Sequence, residues 1–191
     1  MDTSQLYLDS IKKQFQYYKA LGEKAMHQVE AEQLFVTYND DSNSIATIVK
    51  HLWGNMLSRW TDFLTSDGEK AWRDRDAEFE NDIVSREMLL EKWNGGWTCL
   101  FDALQSIKPD QLTQIIYIRN EGHTVMEAIN RQLAHYPYHV GQMIYAAKML
   151  KNGNWESLSV PKNGSKQYNA KKFSQDKSTK NFIDDELKKL E

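Results

Sequence analysis

The stretch from Thr124 to Leu150 constrains the fold more than any other part of this chain. Thr124 followed three residues later by Glu127 is a capping box, in which each side chain satisfies a backbone N–H left over at a helix start. Behind it Val125, Ile129, Leu133, Val140, Ile144, Ala147 and Met149 recur at helical spacing, which predicts a long amphipathic helix from Val125 to about Leu150. Such a stripe has to be covered by neighbouring elements.

Three more segments supply candidates. Leu8, Ile11, Phe15, Tyr18, Leu21 and Ala25 predict a first helix over residues 4–31, with His27 near its end as a capping or partly exposed residue. After a connection at 33–43, rich in Asn, Asp and Ser, Ile45, Ile48, Leu52, Met56 and Phe63 predict a second helix over 45–64. Ser85 caps a third over 86–107, with Leu89, Trp93, Leu100, Phe101 and Leu104 on its core face. Gly95-Gly96 within it costs helix propensity, about 1 kcal/mol per glycine, and fits a close approach of a neighbouring helix or a local bend. Residues 65–84 read as a polar surface connection anchored by Trp72 and Phe79. Ile115 to Arg119 reads as an extended crossover rather than a strand, because no partner strand is evident.

These elements imply an all-α four-helix bundle over residues 1–152. Residues 153–191 form a tail that packs on the bundle or on a partner subunit, pinned by Trp155, Leu158 and Val160. A short last helix is expected over 181–191, where Phe182, Ile183, Leu187 and Leu190 share a face.

Composition narrows the function. A net charge of −3 gives no reason to expect nucleic acid, and no window nears the roughly 20 apolar residues of a membrane span. The N-terminus lacks a signal-peptide pattern, and the single Cys99 suits a reducing, cytoplasmic compartment, where it reads as a small buried apolar residue.

The chemistry-bearing residues lie on two of the helices. His135 and His139 are four apart, so they stack on one helix face, with Gln142 beside them and Arg131 one turn before. Such pairs also occur on solvated surfaces. Pro137 between them removes the hydrogen bond to the Leu133 carbonyl and predicts a kink, one that would aim both imidazoles at a common point. On the second helix His51, Asn55 and Arg59 form a single stripe, either a boundary with Arg59 reaching water or the wall of a binding site. In a bundle interior His51 is the third ligand that the pair lacks. Three neutral imidazoles bind a borderline divalent cation and leave positions open. The glutamate of the zinc-protease helix motif is missing between the two histidines, which disfavours peptide hydrolysis by that route.

The segments Ser44 to Trp60 and Glu121 to Gln142 resemble the DinB-like family, with the likeness running from about residue 4 to residue 170. They are closest to an uncharacterised bacterial branch related to YfiT-type bacillithiol transferases. The resemblance implies a four-helix bundle with a long crossover, often a homodimer, and a divalent metal, Zn or Ni, held by His51, His135 and His139. It also implies a small-molecule thiol and an electrophile as partners, in a metal-dependent thiol S-transfer of stress response or detoxification. The alternatives are metal-dependent hydrolysis at the same three ligands, and a non-catalytic metal-binding dimer. Asn55, Arg59, Arg131 and Gln142 are the expected substrate-pocket residues, with Arg59 or Arg131 meeting a carboxylate or phosphate. No catalytic residue follows from the resemblance.

Overall fold

The computed structural model describes residues 2–190. Four long helices dominate: α1 (Thr3–His27), α2 (Ile45–Trp60), α3 (Arg86–Ser106) and α4 (Val125–Lys151). Each starts at a side-chain cap. Asp2, Ser44, Ser85 and Thr124 accept from the N–H groups of Ser4, Thr47, Met88 and Glu127, and Glu127 completes the capping box by accepting from the Thr124 N–H at 2.8 Å. The fold is an all-α helical bundle in which α1 lies against α4 and α2 lies against both α3 and α4.

The expected apolar stripes meet at its centre. Leu8, Ile11, Phe15 and Ala25 of α1, Ile45, Ile48, Leu52 and Met56 of α2, Leu89, Trp93, Leu100 and Leu104 of α3, and Val125, Ile129, Val140 and Ala147 of α4 are buried. Met149 is the exception, half-exposed beyond the end of the α4 stripe. Trp97 packs against Phe15, Trp93 and Tyr136 at ring separations of 5.4–6.4 Å, so these aromatics are packing units of the core. Gly96 is where α2 and α3 approach: a Cβ there would lie 3.2 Å from the Trp53 Cα and 3.0 Å from the Met56 Sδ. Close approach, rather than a bend, explains this glycine.

The connections depart most from expectation. Ile115 to Ile118 is a strand, β1, paired antiparallel with β2 (Glu121–Thr124). The partner was hidden because Glu121-Gly122-His123-Thr124 shows no apolar alternation. Within it His123 pairs with Ile116 and is half-buried, with its Nε2 enclosed and unpartnered among the described residues. The hairpin turns on Arg119 and Asn120, both at positive φ (57° and 61°), and the Asp67 carboxylate accepts from both of their N–H groups at 2.8 and 2.9 Å. The connection from α2 to α3 is not merely a polar surface loop. Trp72 is exposed there, whereas Glu78 and the Arg73 side chain are buried against α2.

Beyond α4 the chain folds back on the same bundle. Trp155 and Leu158 pack against the core, and Gln28 exchanges two hydrogen bonds with the Glu156 backbone. Two short helices follow, α5 (Ser165–Phe173) and α6 (Phe182–Leu190). The latter packs on α1 through buried Ile183, with Lys13 bridging to Asp184. Among the described residues, no helix is long and apolar enough to cross a membrane.

Candidate metal centre

The site sits where α2 faces α4. His51 is presented from the buried side of α2, and the four-residue spacing on α4 stacks His135 over His139. The Nε2 atoms of His135 and His139 are 3.0 Å apart, and the Nε2 of His51 lies 3.4 Å from that of His135. Ligand atoms of all three fall within 4.8 Å of one another. A tetrahedral centre with metal–nitrogen bonds near 2.05 Å spaces its donors by about 3.3 Å. The helix continues through Pro137, and the i, i+4 spacing puts the pair on one face.

Each imidazole is oriented from behind. His51 Nδ1 donates to Glu78 Oε2 at 2.9 Å, His135 Nδ1 to Gln132 Oε1 at 3.2 Å, and His139 Nδ1 to Gln142 Oε1 at 2.7 Å. Gln142 is fixed in that orientation because its Nε2 donates to the Tyr138 hydroxyl at 3.0 Å. These partners place the ring proton on Nδ1 and leave the Nε2 lone pairs facing one another. Facing lone pairs at 3.0 Å repel unless a cation lies between them. Burial, reinforced by the neighbouring histidines and arginines, lowers the His135 pKa to about 3, and burial lowers that of His139 to about 4. Both rings are therefore unprotonated at neutral pH, the form that ligates. The three histidines could hold a metal ion, and the donor set fits one.

Glu78 is itself clamped. Arg73 donates to it through Nε at 2.7 Å and Nη2 at 3.0 Å, a bidentate pair with both side chains buried. Burial alone would raise the Glu78 pKa, but the hydrogen bonds from His51 and Arg73 hold it below the usual carboxylate range. Gly54 makes room, since a Cβ there would fall on Glu78 Oε1. Phe79 stacks on His51 with ring centroids 5.1 Å apart.

A cavity of about 400 Å³ opens beside the three Nε2 atoms. Asn55, Arg59, Arg73, Arg75, Arg119 and Arg131 line it. Asn55 accepts from the Tyr136 hydroxyl at 3.0 Å, and Arg59 pairs with Glu69 at 3.1 Å and with the Gly68 carbonyl. Gln142 does not line this cavity. It stands behind His139 as the acceptor for its Nδ1 and borders a separate groove with Tyr38 and Tyr145. Cys99 lies apart from the site, and burial pushes its thiol pKa up, which leaves it no thiolate role.

A family model described as Protein of unknown function (DUF1572) matches residues 2–164. The chain belongs to this family. The match covers the four long helices and the hairpin, and therefore the whole histidine cluster, and it ends just before α5. Neither a curated protein nor a solved structure matches the chain.

Sequence reasoning passed over Glu78, Arg73, Gln132, Arg75 and Arg119, and took Phe79 only as an anchor of its connection. Gln132 had a usable signal: it stands three residues before His135, as Gln142 stands three after His139, and such spacings are helix neighbours. The others lie in connections, where no periodicity announces which side chains turn inward.

Proposed function

We propose that this protein is a divalent-metal-dependent enzyme of the DinB-like kind, transferring a small thiol to an electrophile. The observation that carries the reading is the convergence of three Nε2 atoms, each oriented by an acceptor on its Nδ1, at the wall of a solvent-connected cavity. A closed structural site would have its fourth ligand from the chain. Among the described residues the clustered set is His51, His135 and His139 alone, which leaves room for an exogenous ligand. Zn or Ni suits three imidazoles, and a cation so held acidifies a bound thiol enough to supply a thiolate at neutral pH.

The carboxylates near the site are engaged, Glu78 by Arg73 and His51, and Glu69 by Arg59, Arg73 and Arg119, so among the described residues none stands ready as a general base for water attack. A bound cation would acidify water as well as a thiol, and the polarisable thiolate is the better nucleophile toward a carbon electrophile. The test is consumption of a model electrophile such as a monohalobimane with a low-molecular-weight thiol. Turnover should require the thiol and should be lost on chelation and in His139→Ala. Thiol-independent ester or amide turnover with the same dependence on the histidines would replace this reading with hydrolysis.

A further inference from the structure

We infer that Arg75, Arg119 and Arg131 form a receptor for an anionic group, carboxylate or phosphate, on the ligand that enters the metal cavity. The inference deepens the proposed function and rests on it for the role of the ligand, though not for the existence of the receptor.

Five arginines line this cavity, in a chain whose net charge is −3. Among the described residues two carboxylates, Glu69 and Glu78, bind these arginines, so the cavity wall keeps an excess of three positive charges before any metal is counted. Arg59 and Arg73 are the committed members, both buried and both paired. The excess belongs to the other three. Among the described residues, the Arg131 side chain makes no hydrogen bond or ion pair, and neither does that of Arg75, whose guanidinium lies 5.4 Å over the Phe79 ring. Arg119 shares Glu69 with two other arginines, at 3.0 Å.

The burial of the cavity wall separates its arginines into two groups. Arg59 lines the cavity with a side chain only 6% exposed and an Nε closed to solvent, so its charge raises the potential inside while an entering anion meets other guanidiniums. Arg75, Arg119 and Arg131 are exposed residues of the same wall, and theirs are the N–H groups an anion can reach. Arg119 occupies a left-handed position in a two-residue hairpin turn, where Asn or Gly is the usual choice. The strain is offset by the Asp67 carboxylate, which pins the turn and so holds the Arg119 side chain at the cavity mouth. Three guanidiniums on the wall of one cavity match a doubly charged group, a phosphate or a pair of carboxylates, better than a single carboxylate.

The test is titration calorimetry on the protein as purified and again after chelation. Inorganic phosphate and malonate serve as probes, with the neutral malonamide as control. Arg75 and Arg131 are exposed, so Arg75→Gln and Arg131→Gln leave the core intact. Phosphate or malonate should bind, malonamide should not, and each variant should weaken the anion about tenfold with metal content unchanged. The preferred anion tells phosphate-bearing from dicarboxylate ligands. Equal binding by variants and wild type would overturn the inference, as would no binding of either anion at 10 mM on the order used for weak sites. Anion binding without thiol turnover would instead refute the proposed function and leave the receptor standing.

Discussion

His51 on α2 and Glu78 in the connection to α3 form a buried pair, with the histidine Nδ1 2.9 Å from the carboxylate Oε2. A helix residue that faces the metal cavity is thus oriented by a loop residue, which Arg73 in turn fixes through two hydrogen bonds. Outer partners of this kind typically contribute 10–100-fold to metal affinity. Glu78→Gln keeps the size of the side chain but weakens both the His51 and the Arg73 contacts. Metal affinity, read by competition with a chelating dye, should fall by about 10–100-fold while the helical signal persists. An unchanged affinity would remove Glu78 from the site.

Gly54→Ala tests the same arrangement from the opposite side. Alanine favours a helix by about 1 kcal/mol over glycine, so the substitution would stabilise α2 if space were free. Here the new methyl falls on Glu78 Oε1. The variant should lose metal affinity and gain no stability in urea unfolding; a more stable protein with full affinity would show that Glu78 is not held as described.

Tyr136 is fully buried, and its hydroxyl links two helices by accepting from Trp60 Nε1 at 2.9 Å and donating to Asn55 Oδ1 at 3.0 Å. Tyr136→Phe leaves both partners unpaired in the core. The expected loss is about 1–3 kcal/mol of unfolding free energy. A difference under a few tenths of a kcal/mol would mean that water replaces the hydroxyl.

The two α4 histidines set an acid dependence for the metal-free protein. Their folded pKa values, about 3 for His135 and about 4 for His139, lie below the ordinary 6.5. Below pH 6.5 the unfolded chain therefore binds more protons than the folded one, and stability falls as pH falls. Chelated protein should lose stability progressively from about pH 6.5 toward pH 3, and His139→Gln should flatten that slope above about pH 4. A flat profile in the wild type would contradict neutral, buried imidazoles.

What could be read from the chain was what periodicity encodes. The stripes of α1 to α4 and the facing of His51 toward His135 and His139 follow from helical spacing, because one buried face repeats every three or four residues, and the Ser85 and Thr124 caps from the residue types at the helix starts. The hairpin was missed because Glu121 to Thr124 carries no alternation, and α5 because Ser165 to Phe173 buries nothing. Glu78 and Arg73 were read as solvated charges, since a polar run gives no hint that two of its members neutralise each other against α2. Arg59 was expected to meet a carboxylate or phosphate on a ligand; in the structure its partner is Glu69 of its own chain. Pairing between distant charges is a property of the fold, and only the fold reveals it.

The measurement that bears most directly on the account is metal content. Wild type and His51→Ala, loaded with Zn or Ni and freed of loose metal by gel filtration, are compared by elemental analysis. The predicted result is about one metal ion per chain in the wild type and a small fraction of that in the variant, with the bundle intact by circular dichroism. Equal metal content in the two proteins, or none in the wild type, would contradict a centre built from His51, His135 and His139.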